Sequence, residues 1–63
     1  MSNSDDILLE LTYIGNMIKV IAIDENTALE VSFGVPRHTS ADAIKQLAKQ
    51  KLLYVKNKKA NDS

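Results

Sequence analysis

The chain has 63 residues, 44% of them hydrophobic, with no cysteine, one histidine and a formal net charge of zero. At this size folding hides only about 60% of the surface that the unfolded chain exposes, so a supplement to the core is usual. Absent cysteine excludes disulfides and thiolate zinc sites, the single histidine excludes a histidine cluster, and self-association remains.

Residues 1–6, Met-Ser-Asn-Ser-Asp-Asp, are polar and acidic and are expected to be disordered. They lack the basic segment and apolar run of a signal peptide, and no later apolar run is long enough for a bilayer. A cytoplasmic protein that does not engage a membrane is the expectation.

Residues 7–14, Ile-Leu-Leu-Glu-Leu-Thr-Tyr-Ile, read as a first strand with Leu9, Leu11 and Tyr13 on one face. Gly15-Asn16 is a tight-turn signal, since both residues tolerate positive φ. The second strand is 17–24, Met-Ile-Lys-Val-Ile-Ala-Ile-Asp, apolar on both faces. A turn follows at 25–28, opened by Asp24, whose carboxylate can accept from backbone amides ahead of it. It places Ala28 where a left-handed residue, normally glycine, belongs. The third strand runs from Leu29 to Val35, ended by Pro36, which has no amide donor.

The loop lengths fix the registers. A two-residue loop pairs Tyr13 with Ile18 and Leu11 with Val20; a four-residue loop pairs Ala22 with Val31 and Val20 with Phe33. One face then gathers Leu9, Leu11, Tyr13, Ile18, Val20, Ala22, Leu29, Val31, Phe33 and Val35, a set that a one-residue slip would scatter.

Thr39 with Asp42 three residues later predicts a helix start, a variant of the capping box. Ala41, Ala43, Ile44, Leu47, Ala48, Leu52, Tyr54 and Val55 form an apolar stripe over a helix of about 40–57. Its length of roughly 27 Å matches an eight-residue strand of roughly 26 Å, so it can lie along and cover the gathered face. The fold class is α+β, a three-stranded antiparallel meander and one C-terminal helix (βββα), as one domain over 7–57 with a flexible polar tail at 58–63.

The opposite sheet face carries Leu8, Glu10, Thr12, Ile14, Met17, Lys19, Ile21, Ile23, Glu30 and Ser32, with no second helix to cover it. Leu8, Ile14, Met17, Ile21 and Ile23 form the candidate interface, because apolar patches of this kind mark partner sites on small proteins. The expected partner is a second copy, joined sheet on sheet or through the helix. Leu53 lies off the apolar stripe among Lys45, Lys49 and Lys56 and joins the candidate list. Lys51 falls inside the stripe and is expected to lay its methylenes on the core with the ammonium at the edge.

Charge is uneven: residues 1–30 hold six acidic side chains and one lysine, whereas 45–63 hold six lysines and one aspartate. Lysines late in a helix complement its dipole. The alternative function is a nucleic-acid-binding module built on this lysine-rich helix and tail. Double-stranded RNA-binding domains share the order of three strands and a helix, but their last helix opens with lysines, whereas this one opens Thr39-Ser40-Ala41-Asp42. Tyr13 and Phe33 also point to the core rather than to bases.

Nothing reads as an active site or a cofactor site. His38 has no cysteine or second histidine beside it, the oxygens of Asp24, Glu25, Asn26 and Thr27 lack calcium-loop spacing, and no phosphate-binding glycine motif occurs.

The runs Gly15-Asn16-x-x-Lys19-Val20-x-Ala22-Ile23-Asp24-x-x-Thr27-x-x-Glu30-Val31-Ser32 and Lys51-Leu52-x-Tyr54-Val55 carry a resemblance. Over about residues 7–57 the chain resembles a short family of uncharacterised proteins found mainly in alphaproteobacteria. The family pattern has glycine at the position of Ala28 and a Gly-Pro pair where this chain reads Gly34-Val35-Pro36. The resemblance implies a stand-alone cytoplasmic protein, a domain of unknown function with no activity or catalytic residue attached. A small non-enzymatic, homodimeric interaction module is therefore the leading expectation.

Overall fold

The computed structural model describes residues 6–61. Three strands, β1 (Ile7–Ile14), β2 (Met17–Asp24) and β3 (Glu30–Pro36), are followed by one helix, α1 (Ala41–Asn61). The sheet is antiparallel in the order β1-β2-β3. Its registers are those the loop lengths require: Tyr13 opposite Ile18, Leu11 opposite Val20, Val20 opposite Phe33 and Ala22 opposite Val31.

Each connection is closed by local polar chemistry. Gly15 has φ +57°, as required at the first central position of a two-residue turn with a single positive φ. At the other end, the Asp24 N–H donates to the Leu29 carbonyl (2.8 Å) and the Ala28 N–H to the Asp24 carbonyl (2.7 Å). The Asp24 carboxylate accepts from the Asn26 N–H (2.9 Å), and the Thr27 hydroxyl accepts from the Leu29 N–H (3.3 Å). Ala28 takes the left-handed φ of +64° that its position demands. β3 spans Glu30–Pro36 rather than Leu29–Val35, because Pro36, although it has no N–H, still sits opposite Met17 at the end of the ladder.

Thr39 does not cap the helix. Its N–H closes a turn onto the Pro36 carbonyl (3.0 Å), and Ser40 takes the capping position instead. The Ser40 hydroxyl accepts from the Ala43 N–H (3.1 Å), while its carbonyl accepts the first helical bond, from Ile44 (3.0 Å). Asp42 then stands in the first turn, where a carboxylate complements the helix dipole. At the other end α1 continues through 58–61, beyond the predicted end at 57, because neither glycine nor proline stops it. Residues 62–63 of the expected tail, and 1–5 of the expected disordered start, lie outside the described residues. Asp6 is fixed, since its carbonyl accepts from the Glu25 N–H (3.0 Å).

The core lies between α1 and β2–β3. Ile18, Val20, Val35 and Ile44 form one buried cluster, supported by Leu9, Phe33 and Leu47. Ala22, Ala48 and Leu52 form the other, with an alanine contributed by the sheet and another by the helix. The helix leaves part of the gathered face open: Leu11 is 42% exposed and Tyr13 56%. A helix with its side chains is about 10 Å wide and strands are about 4.8 Å apart, so one helix covers two strands. Tyr54, expected in the buried stripe, is 66% exposed, since it lies roughly a third of a turn around the helix from the line of Ile44, Ala48 and Leu52.

Two substitutions test these local assignments. Ala28→Gly removes a left-handed alanine and should raise stability by about 0.5–1 kcal/mol, or roughly 4 °C in the thermal midpoint. Ser40→Ala removes the cap and should cost about 1 kcal/mol, whereas Thr39→Val should leave the midpoint of thermal unfolding almost unchanged.

Candidate interaction surface

The face of the sheet away from α1 is built of four cross-strand rows. Leu8, Ile23 and Glu30 form the first and Glu10, Ile21 and Ser32 the second. Thr12, Lys19 and Gly34 form the third, and Ile14, Met17 and Pro36 the last. The face therefore has an apolar patch at each end and a polar waist at Thr12 and Lys19. The last row is apolar throughout, with Ile14 58% and Met17 46% exposed. A Cβ at Gly34 would lie 3.5 Å from the Met17 methyl carbon, so Met17 lies across that glycine. Leu8 is 48% exposed, while Ile21 and Ile23 on the central strand are half-buried by their neighbours.

Five of the six sequence-derived candidates, Leu8, Ile14, Met17, Ile21 and Ile23, thus share one face. Leu53 does not join them. It is exposed on the outer side of α1, roughly opposite the core stripe, and two layers separate it from the uncovered sheet face. Lys45, Lys49 and Lys56 are likewise exposed on the helix.

Leu11 and Tyr13 were missed as surface residues because alternation assigns a face without saying how far the helix reaches across it. The available signal was positional: the first strand of a meander is an edge strand. Tyr13 is held by Arg37, whose guanidinium carbon lies 5.2 Å from the ring centroid. Arg37 also donates from Nη1 to the Gly15 carbonyl (3.1 Å) and from its backbone N–H to the Asn16 carbonyl (2.8 Å). It ties the end of β3 to the β1–β2 turn.

Lys51 rests as expected, with Nζ 5.4 Å from the centroid of Phe33. Beside it an open cleft of about 420 Å³ is lined by Val31, Ser32, Gln50, Lys51, Tyr54 and Val55. Among the described residues, no group of three or more His, Asp or Glu side chains is placed to hold a metal. No described polar or charged residue is buried. His38 is exposed in the loop before α1, and no described helix is long and apolar enough to cross a membrane.

A family model described as a domain of unknown function, DUF6898, matches residues 4–59. The chain belongs to that family. Comparison with curated proteins and with solved structures gave no match.

Arg37→Ala should cost under about 1 kcal/mol, because its contacts are exposed, and should loosen the Gly15 turn without melting the core. Urea unfolding, read beside amide exchange at Ile14 and Met17, the pair that closes the turn, checks both parts.

Proposed function

We propose that this protein is a small, non-enzymatic interaction module that works as a homodimer through the apolar side chains its helix leaves uncovered. The observation that carries the reading is the concentration of exposed apolar residues on β1 and the adjoining end of β2. Leu8, Leu11, Tyr13, Ile14 and Met17 are each between 42% and 58% exposed. Among the described residues no second layer is set against them, and self-association both covers such residues and enlarges the core.

The non-enzymatic part rests on the placement of ionisable groups. Catalytic acids, bases and nucleophiles are usually tuned by desolvation and by close partners inside a recess. Here every described charged side chain reaches solvent, and the cleft beside Lys51 is open. Nucleic-acid binding has weaker support, because the uncovered sheet face carries no aromatic ring and mixes Glu10, Lys19 and Glu30. A cytoplasmic setting accords with a cysteine-free chain.

Sedimentation equilibrium tests the reading directly. The protein should sediment as a dimer at tens of micromolar, and Ile14→Glu, at an exposed position, should shift it towards monomer without changing its circular dichroism. A wild-type monomer at those concentrations overturns the proposal.

A further inference from the structure

Resting on that reading, we infer that two copies join edge to edge through β1, antiparallel, with Leu11 on the two-fold axis, to make one continuous six-stranded sheet. The first ground is the state of the edge. β1 is the outermost strand of β1-β2-β3, and among the described residues no strand lies on its outer side. In an antiparallel ladder alternate residues direct N–H and C=O inward and outward. The Asp6 carbonyl bonds inward to Glu25, so the even-numbered residues bond to β2. Ile7, Leu9, Leu11 and Tyr13 therefore present their backbone groups outward, ready to pair. Natural edges are usually protected by charged side chains, above all lysine, by proline or by a bulge. β1 has no lysine, proline or bulge and a single charge, Glu10, whereas the other edge strand, β3, ends in Pro36.

The second ground is that β1 is complementary to itself in one register. Two-fold pairing keeps each residue on its own face, so a residue must oppose one of the same parity. With Leu11 opposite its own copy, Leu9 meets Tyr13 and Leu8 meets Ile14, apolar against apolar on both faces. Glu10 then meets Thr12. Of the two neighbouring registers, one sets Glu10 directly against Glu10, a like-charge pair that opposes association, and the other, centred on Thr12, sets Glu10 against Ile14 and pairs fewer residues of β1. Leu11 on the axis also brings Asp6 beside the second copy's Gly15–Asn16 turn, where Arg37 is anchored.

The third ground is steric room. α1 packs against β2 and β3, so nothing on the helix side obstructs a strand arriving beside Leu11 and Tyr13. The two-fold axis sets both helices on one face, flanking a floor of Leu9, Leu11 and Tyr13 from each copy. The opposite face becomes continuous across the junction, bringing Leu8 of each copy against Ile14 of the other.

Single-cysteine variants read this geometry cleanly in a chain with no native cysteine. Cα atoms of a hydrogen-bonded antiparallel pair are about 5.5 Å apart, within the disulfide range of roughly 4.4–6.8 Å. Under mild oxidation Leu11→Cys should give a covalent dimer, and Glu10→Cys and Ile21→Cys should not. In a second arm, Leu11→Lys should weaken dimerisation by roughly tenfold or more. Ile21→Glu, away from the edge, should leave it within about threefold of wild type, with circular dichroism confirming that each variant folds. A wild-type dimer that ignores Leu11→Lys and is split by Ile21→Glu overturns the edge-to-edge arrangement while leaving the interaction module standing. Crosslinking through Glu10→Cys in place of Leu11→Cys also overturns it. A wild-type monomer removes both proposals.

Discussion

The structure turns on a mismatch of widths: a single helix is set against a sheet one strand wider than it can cover. β2 and β3 receive α1 and form a dry core around Ile18, Val20, Ala22, Val35, Ile44, Ala48 and Leu52. β1 is held by its ladder to β2 and by Ile7 and Leu9, which reach the core from its first half. Its second half is not reached. Leu11 and Ile14 are as hydrophobic as the core residues, and with Tyr13 they are about half exposed. The same shortage leaves the opposite sheet face without a layer, so β1 is exposed on both faces and along its edge. This threefold exposure separates β1 from the rest of the chain.

The ends of the sheet show how a small protein spends its polar groups. Asp24 and Thr27 close one turn through side chain to backbone bonds, and Arg37 closes the other by joining Gly15, Asn16 and Tyr13. Ser40 meets the free amides at the start of α1. These groups act on the backbone beside them, at the surface, and none is carried into the interior.

Much of the fold was legible because independent signals agreed. The two loop lengths and the alternation of three strands converge on one register, and Ala28 was recognisable as a left-handed position from the loop alone. The failures have physical causes. Thr39 and Ser40 are adjacent hydroxyls, either able to cap, and the choice depends on the Pro36–Thr39 turn that alternation does not reveal. The helix end was invisible because the lysine-rich sequence after 57 contains no stop signal. Leu11, Tyr13 and Tyr54 were assigned to the right side of the structure but not to the right depth. Periodicity gives an angle around an element, whereas burial also requires the lateral reach of what covers it. Leu53 fails for a related reason: it is exposed and apolar like the other candidates, yet the helix packs on the opposite face from them.

Charge placement narrows how the leftover surface can be used. A hydrophobic strand at an unguarded edge invites indiscriminate pairing, and a protein carrying one must restrict which partner fits. Glu10, in the middle of β1, supplies that restriction. It is tolerable opposite Thr12 and costly opposite itself, so a single carboxylate divides the two registers that pair the most of β1 with itself. Lys19 and Thr12 form a polar waist between the apolar ends of the uncovered face, which disfavours burying that face whole against another of its kind. An apolar edge with one internal charge therefore favours strand addition over stacking. The absence of lysine and proline from β1, a hazard in an isolated monomer, becomes a requirement once the edge is the place where two copies meet.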